Sequence, residues 1–299
     1  MNKALILSVA FFLYSLFSIS QVQKVPTLQN PLVKNAQEKC ATMENLEMLK
    51  AQDPGLEKRM QLIESQIQNF IQNKQVSGAY SKQATLIVIP VVFHVVYNGA
   101  SQNISTAQVL SQLDVLNEDF RRLNADTVNT PPVFSSIGAD VEIQFCLAVR
   151  DPSGNPTSGI TRTATTHAPF TTNNDVKFTA NGGRDAWPCG SYLIFWICNF
   201  SGGLLGYAQF PGGPCNTDGV VCLYTSIGRP PSNPFPGAFN LGRTATHEVG
   251  HWLNLRHIWG DATCGNDLVS DTPVQNGPNF GCPGFPTVTC SNGPNGDMF

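Results

Sequence analysis

Three of the five histidines in this chain stand close together, as His247, His251 and His257. On a helix, His247 and His251 lie one turn apart on the same face, so both imidazoles can reach one ion. Glu248 lies beside them, toward the water that a catalytic zinc activates. Structural zinc sites are usually closed by four ligands, whereas three histidines leave a position open for water. The spacing therefore predicts a catalytic zinc with Glu248 as general base.

His257 can share this site only if the helix ends and the chain folds back. The longer zinc motif normally has a glycine three residues after its second histidine, and here that residue is Asn254. Asparagine tolerates a left-handed turn better than most other residues. The alternatives are a chance match on an amphipathic helix and a structural zinc. His257 at the required spacing disfavours a chance match. The coordination position that three histidines leave open disfavours a structural zinc.

The composition is globular, with 41% hydrophobic and only 13% charged residues. Eighteen basic residues face twenty-one acidic ones without a dense Lys/Arg run. This balance argues against binding to nucleic acid or to an anionic membrane. We expect a monomer whose partners are proteins or peptides.

Two N-terminal segments precede the predicted catalytic part. Residues 1–20 are predicted to be a secretory signal, because Lys3 precedes a short apolar run that ends in small residues. This run is too short to span a membrane, and no other stretch approaches the necessary length, so we expect a secreted protein. Residues 21–81 are polar and predicted to be a helical propeptide, with a small helical hairpin of the mature fold as the alternative. Helices are predicted at 43–51 and along the apolar positions Leu56, Met60, Ile63, Ile67 and Ile71.

Cys40 is the one cysteine of the predicted propeptide. A propeptide thiolate can occupy the open zinc position and keep the enzyme latent. The alternative, that Cys40 is an incidental cysteine without a role in latency, carries equal weight.

From residue 86 the pattern changes to strands. Residues 86–97 form an apolar run typical of a buried strand, in which His94 is expected to be a hydrogen-bonded core residue. Ser105 and Gln108 form a capping box that begins a helix. That helix has an apolar face of Val109, Leu113, Leu116, Phe120 and Leu123. Further strands are predicted at 141–149, 192–198, 206–210 and 219–224, which together indicate an α+β fold with one mixed sheet.

Four segments, in order along the chain, resemble the pappalysin family of metzincin metallopeptidases, on its bacterial secreted branch. They are 89–97 (IPVVFHVVY), 145–148 (FCLA), 204–211 (LLGYAQFP) and 247–261. The resemblance implies a metzincin-like zinc metalloprotease catalytic domain at 82–299. It implies a twisted mixed sheet with a backing helix and an active-site helix, above an irregular, disulfide-tied lower part. Strand 206–210 would be an edge against which an extended substrate can lie.

The resemblance also implies features after the zinc motif. A methionine-containing turn is expected to come shortly after 295–299, so that the chain stops short of it and Met298 does not belong to it. Cys264 is expected to pair with Cys290, and Cys282 with a cysteine beyond residue 299.

Residues 265–273 offer closely spaced oxygen atoms that suit calcium, and the resemblance supports a structural ion there. The expected side-chain ligands are Asp267 and Thr272, with backbone oxygens from Asn266 and Ser270. An Asx-type turn held by its own hydrogen bonds is the alternative. Asp218 is a weaker second candidate.

The other cysteines are less informative. Nine cysteines in a secreted chain leave at least one unpaired. Cys146 and Cys198 lie in apolar strands and are predicted to be buried thiols. Cys189, Cys215 and Cys222 stay undecided.

Together these features predict a secreted zinc-dependent endopeptidase that hydrolyses extracellular proteins. No serine or cysteine lies in a recognisable nucleophile motif, so acyl-enzyme chemistry has no support. Two alternatives stay open. One is a catalytically inactive secreted zinc-binding or adhesion module, and the other is a metallopeptidase with two histidines and a distal glutamate, in which His257 would be redundant.

Overall fold

The computed structural model describes residues 39–77, 86–281 and 283–298. The predicted signal (1–20), the predicted propeptide boundary at 81 and Cys282 lie outside these residues. The helices are α1 (Thr42–Gln52), α2 (Leu56–Ser77), α3 (Thr106–Phe120) and α4 (Arg243–Trp252). The strands are β1 (Ile87–Tyr97), β2 (Ile143–Leu147), β3 (Ile160–Ala164), β4 (Leu193–Cys198), β5 (Gly206–Ala208) and β6 (Val220–Leu223). Within the described ranges, no helix is long and apolar enough to cross a membrane.

The strands form one mixed sheet in the order β2-β1-β4-β6-β5, with β3 also paired to β1. The long strand β1 is parallel to β2 along its first half and to β3 along its second half. β5 runs antiparallel to β6 and forms an edge of the sheet. The predicted α+β fold with a mixed sheet is confirmed. After α4, the described residues contain neither helix nor strand, so the lower part is irregular.

Both faces of the sheet are buried, which explains the continuous apolar run of β1. On one face, Val91 and Phe93 pack in a core with residues of α3 and α4. On the other face, Val92 packs in a second core with Trp196. His94 is fully buried, with Nδ1 2.7 Å from the Thr161 hydroxyl, and burial lowers its pKa to about 3. It is the neutral core histidine that the sequence predicts.

Two strands are shorter than predicted, because each extends only as far as a neighbouring strand pairs with it. The predicted strand 141–149 is shortened to Ile143–Leu147, and 206–210 is shortened to Gly206–Ala208. β3 was not predicted, because its sequence ITRTA has no apolar run. It forms because β1 continues beyond the end of β2, so that the second half of β1 can pair with β3.

The predicted start of α3 is half correct. The Ser105 hydroxyl accepts a hydrogen bond from the Gln108 amide at 3.1 Å, as expected for the cap. The Gln108 side chain does not complete the box, since it donates to the carbonyls of Tyr224 and Ile227. Leu123 is 72% exposed because the helix ends at Phe120, so its predicted place on the buried face is wrong.

The apolar stripe of α2 is buried only in its first turns. Leu56 is buried and packs with Phe210, while Met60 is partly buried beside them. Ile67 and Ile71 are 36% and 42% exposed. The helical periodicity is therefore real, but the rest of the stripe extends past the surface that covers its start.

The cysteines form two disulfides outside the sheet, and the three cysteines in strands are free thiols. Disulfides join Cys264 to Cys290 and Cys189 to Cys215. Cys198 and Cys222 are free and buried within central strands. Cys146 is also free but only half-buried, contrary to prediction, because β2 lies at an edge of the sheet.

Candidate metal centre

Helix α4 carries the first two histidines of the motif. The Nε2 atoms of His247 and His251 lie 3.0 Å apart. The helix ends two residues before Asn254, whose φ of +79° is the left-handed conformation expected from the sequence. The Leu255 amide then donates to the Gly250 carbonyl at 2.9 Å, which closes the helix end. The chain turns back at this point.

After this turn, His257 joins the pair. Its ring centroid lies 4.6 Å from that of His251 and 5.2 Å from that of His247. Cys40 completes the cluster, since one ligand atom from each of the four residues lies within 4.8 Å of the others. Tetrahedral zinc places nitrogen ligands about 3.3 Å apart, at zinc–nitrogen distances of about 2.0 to 2.1 Å. The donor set fits a four-coordinate zinc.

A histidine must be neutral to bind a cation. Desolvation and the neighbouring imidazoles lower the pKa of His251 well below its usual range. Desolvation and the adjacent His257 lower the pKa of His247 to about 4. Both rings therefore offer a free lone pair at neutral pH.

Two of the histidines have their other ring nitrogen occupied. His251 Nδ1 lies 2.7 Å from the Leu255 carbonyl oxygen, and His257 Nδ1 lies 2.5 Å from Asp261 Oδ1. These contacts leave Nε2 of each ring for an ion. Sequence reasoning did not single out Asp261, although a carboxylate four residues after the third histidine was a visible signal.

Glu248 is buried beside the cluster and 1% exposed. Its Oε2 accepts hydrogen bonds from the Thr42 hydroxyl at 3.0 Å and from Cys40 Sγ at 3.6 Å. Burial raises the pKa of Glu248 to about 8. Gly206 lies so close that a Cβ on it would be 2.9 Å from Glu248 Cγ. The carboxylate therefore has a confined position, and Thr42 is a site residue that the sequence did not reveal.

The chain around Cys40 lies along β5 in a parallel direction. The Ala41 amide donates to the Gly206 carbonyl at 3.0 Å. The Ala208 amide donates to the Thr42 hydroxyl at 2.9 Å. The edge strand that could hold a substrate is thus paired with residues 39–42.

Helix α2 contacts both ends of this region. The Arg59 side chain donates to the Gly212 carbonyl at 2.7 Å, just beyond β5. The Asn254 side chain donates to the Glu64 carboxylate at 3.2 Å, at the turn after α4. Residues 39–77 therefore contact the edge strand, the histidine cluster and the turn that leads to His257.

The predicted calcium loop is folded as a pair of tight turns. Asp267 is 7% exposed, and its Oδ1 accepts a hydrogen bond from the Val269 amide at 3.0 Å. Asn266 Oδ1 accepts from the Leu268 amide at 2.8 Å. These are the hydrogen bonds of the Asx-turn alternative, and they leave other lone pairs of Asp267 free for a cation.

Asp218 does not have the surroundings of a cation site. Its carboxylate accepts a hydrogen bond from Trp252 Nε1 at 3.2 Å. The buried Lys177 donates a hydrogen bond to the Thr217 carbonyl at 2.6 Å. Burial raises the pKa of Asp218, and the charge of Lys177 opposes that rise. Positive charge on Lys177 would oppose a divalent ion, so these contacts give no support to Asp218 as a second calcium ligand.

The chain is similar to known metallopeptidases. A family model described as pregnancy-associated plasma protein-A, peptidase M43, matches residues 183–295. Extracellular metalloprotease 1 of Coccidioides posadasii is 30% identical over 223 residues, which cover 69% of this chain and 66% of that protein. The chain thus spans slightly less than two thirds of that relative.

Two solved structures are also similar. Mature mirolysin of Tannerella forsythia, in complex with a cleaved peptide, is 52% identical, with a TM-score of 0.69 over 72% of this chain and 82% of that chain. A promirolysin mutant from the same organism, with glutamate replaced by alanine, is 46% identical. Its TM-score is 0.74 over 88% of this chain and 85% of that chain.

Proposed function

Because the chain belongs to the pappalysin family of metallopeptidases, we propose that it is a secreted zinc-dependent endopeptidase that cleaves extracellular proteins and peptides as a monomer. His247, His251 and His257 hold the zinc. The observation that carries this proposal is the convergence of these imidazoles and Cys40 on one point. Secretion is supported by the curated relatives, which are named extracellular metalloproteases.

Glu248 is the general base. When bound, zinc supplies a Lewis acid that polarises the scissile carbonyl and makes water more acidic. Glu248 follows His247 on α4, so its carboxylate lies beside the ligand nitrogens and not among them. It accepts the proton of the attacking water and passes it to the leaving amine.

Strand β5 binds the substrate. Its Gly206 carbonyl and Ala208 amide are the groups that Ala41 and Thr42 now use. Once residues 39–42 leave, an extended peptide can pair with the same edge by strand addition. This places the scissile bond beside Glu248, which lies against Gly206.

Residues 21–81 are a propeptide, and residues 82–299 belong to the catalytic domain. Cys40 Sγ lies with the three imidazoles, so with zinc bound it would be a fourth ligand and would exclude the water that catalysis needs. Burial and the charge of Glu248 raise the pKa of the Cys40 thiol, and a bound cation reverses this by stabilising the thiolate. Thr42 adds a second contact, because its hydroxyl occupies both Glu248 and the Ala208 amide.

Removing the Cys40 thiol is expected to raise the activity of the uncleaved zymogen. We expect Cys40→Ala to increase peptide hydrolysis roughly tenfold or more, which corresponds to a loss of about 1.4 kcal/mol of inhibition. Thr42→Val keeps the side-chain shape without the hydroxyl and should add to that increase. The measurement is hydrolysis of a quenched fluorescent peptide before any processing, at equal zinc content.

Cys146→Ala is the matched control, because it removes a free thiol far along the sheet from the cluster. Equal latency of the parent and Cys40→Ala would confine inhibition to steric covering of the cleft. A fully active uncleaved parent would make residues 21–81 part of the mature fold.

The turns at 266–272 hold a structural calcium ion, with Asp267 and Thr272 as side-chain ligands and carbonyl oxygens of Asn266 and Ser270. Support comes from the buried Asp267 carboxylate in a loop rich in carbonyl oxygens.

Calcium at about 100 times its dissociation constant should stabilise the fold by about 2.7 kcal/mol and raise the melting temperature by a few degrees. Thermal unfolding of metal-stripped protein, with zinc restored and calcium varied, measures this. Asp267→Asn should weaken the response, whereas an exposed control on α3, Asp114→Asn, should keep it. A calcium-independent parent would leave the Asx turns as the whole explanation.

A further inference from the structure

His257 reaches the histidine cluster from a turn, not from a helix. His247 and His251 are held by the backbone of α4, which fixes the directions of their Cβ atoms. Residues 255–257 belong to neither helix nor strand. The His257 carbonyl accepts a hydrogen bond from the Gly260 amide at 2.7 Å, which closes the turn but leaves the ring free to rotate. Side-chain contacts must therefore set its orientation.

Two contacts meet the ring of His257 from different directions. Asp261 Oδ1 lies 2.5 Å from Nδ1, and both side chains are less than 10% exposed. The Trp259 ring stacks on the imidazole with centroids 4.3 Å apart and planes 6° apart. The stacking fixes the plane, and the hydrogen bond fixes the rotation within that plane. Nε2 is left as the ligand atom.

The position of Asp261 is costly for the fold. Its Oδ2 is buried with no hydrogen-bond partner, and its backbone has φ of +55°, in the left-handed region. A desolvated carboxylate with an unpaired oxygen destabilises a folded protein. Positive charge on a metal-bound imidazole would offset that cost, as in carboxylate–histidine–zinc arrangements.

We infer that Asp261 and Trp259 are positioning residues for the third zinc ligand. Asp261 accepts the Nδ1–H proton of His257, which fixes the tautomer and strengthens Nε2 as a donor. Trp259 holds the plane of the ring. The inference rests on the proposed zinc site and extends it, because neither residue is a zinc ligand or a proton carrier.

The test is zinc affinity together with the absorption spectrum of the cobalt-substituted protein, which reports ligand geometry without turnover. Asp261→Ala should raise the zinc dissociation constant about 10- to 100-fold and alter the cobalt spectrum. Asp261→Asn keeps an amide oxygen that can accept the same hydrogen bond, so it should lie closer to the parent. Trp259→Phe keeps a stacking ring and should change less than Trp259→Ala. Asp114→Ala removes an exposed carboxylate on α3 and should change neither quantity.

The outcomes separate this inference from the proposed function. A parent protein that binds no zinc would refute the zinc site itself. A parent that binds one zinc, with Asp261→Ala identical to it in dissociation constant and cobalt spectrum, would overturn the positioning role. If Asp261→Ala fails to fold, the metal-free parent decides by NMR. It should show a slowly exchanging imidazole proton on His257 Nδ1, and an unprotonated Nδ1 would equally overturn the inference.

Discussion

Glu248→Ala is expected to reduce peptide hydrolysis by the full-length mature enzyme roughly 10²- to 10⁴-fold, the usual contribution of a general acid–base group. The loss should appear in kcat, since Glu248 acts on the water and the leaving amine and not on substrate binding. Zinc content should stay at one per chain, because the carboxylate lies beside the histidines and is not one of the clustered ligand groups. The physical reason is that the water loses its proton acceptor at the step where it attacks the carbonyl.

The measurement is cleavage of casein and of a fluorescent peptide, with zinc determined on the same samples. Glu248→Gln is the matched control for shape, because it fills the space against Gly206 but cannot accept the proton. Both variants should show this reduction in kcat and remain zinc-loaded. Loss of zinc from Glu248→Ala, or cleavage at the parental rate, would contradict the assigned role. A zinc-loaded mature parent that cleaves nothing would instead support an inactive binding or adhesion module.

His257→Ala is expected to weaken zinc binding roughly 10²-fold or more. Structural zinc binds with about 10 to 16 kcal/mol across four ligands, so one ligand contributes about 3 kcal/mol. The expected consequence is an enzyme that loses zinc to a chelator under conditions in which the parent keeps it. Activity should return only partly when excess zinc is added, because the two remaining histidines do not restore the geometry.

The matched control is His167→Ala, which removes an exposed histidine that stacks on Phe170 outside the cluster. It should leave the zinc dissociation constant unchanged. Competition with a chromogenic chelator, on protein lacking residues 21–81 so that Cys40 cannot contribute, gives the affinity. Equal zinc affinity of His257→Ala and the parent would remove His257 from the site. It would then revive the class with two histidines and a distal glutamate.

Local chemistry made much of this protein predictable from its sequence. The i and i+4 spacing places His247 and His251 on one helical face wherever the helix lies, because helix geometry is a local property. The turn at Asn254 was predictable for the same reason, since tolerance of positive φ belongs to the residue itself. Long apolar runs such as β1 were predictable because burial on both faces selects them. Strand ends and β3 were not, because they depend on where neighbouring strands begin and end.

Only the tertiary structure brought together groups that are distant in the sequence. The contact between Thr42 and Glu248 joins residues 206 positions apart, and no periodicity connects them. The same holds for the clustering of Cys40 with the three histidines, which the sequence allowed but did not distinguish from an incidental cysteine. Asp261 is close to His257 in sequence, yet its importance depends on burial and ring orientation, which composition does not encode. The sequence by itself thus determined the chemistry of the zinc motif and the class of fold. The folded chain decided which groups surround that motif, because long-range contacts depend on how the whole sheet and its helices pack.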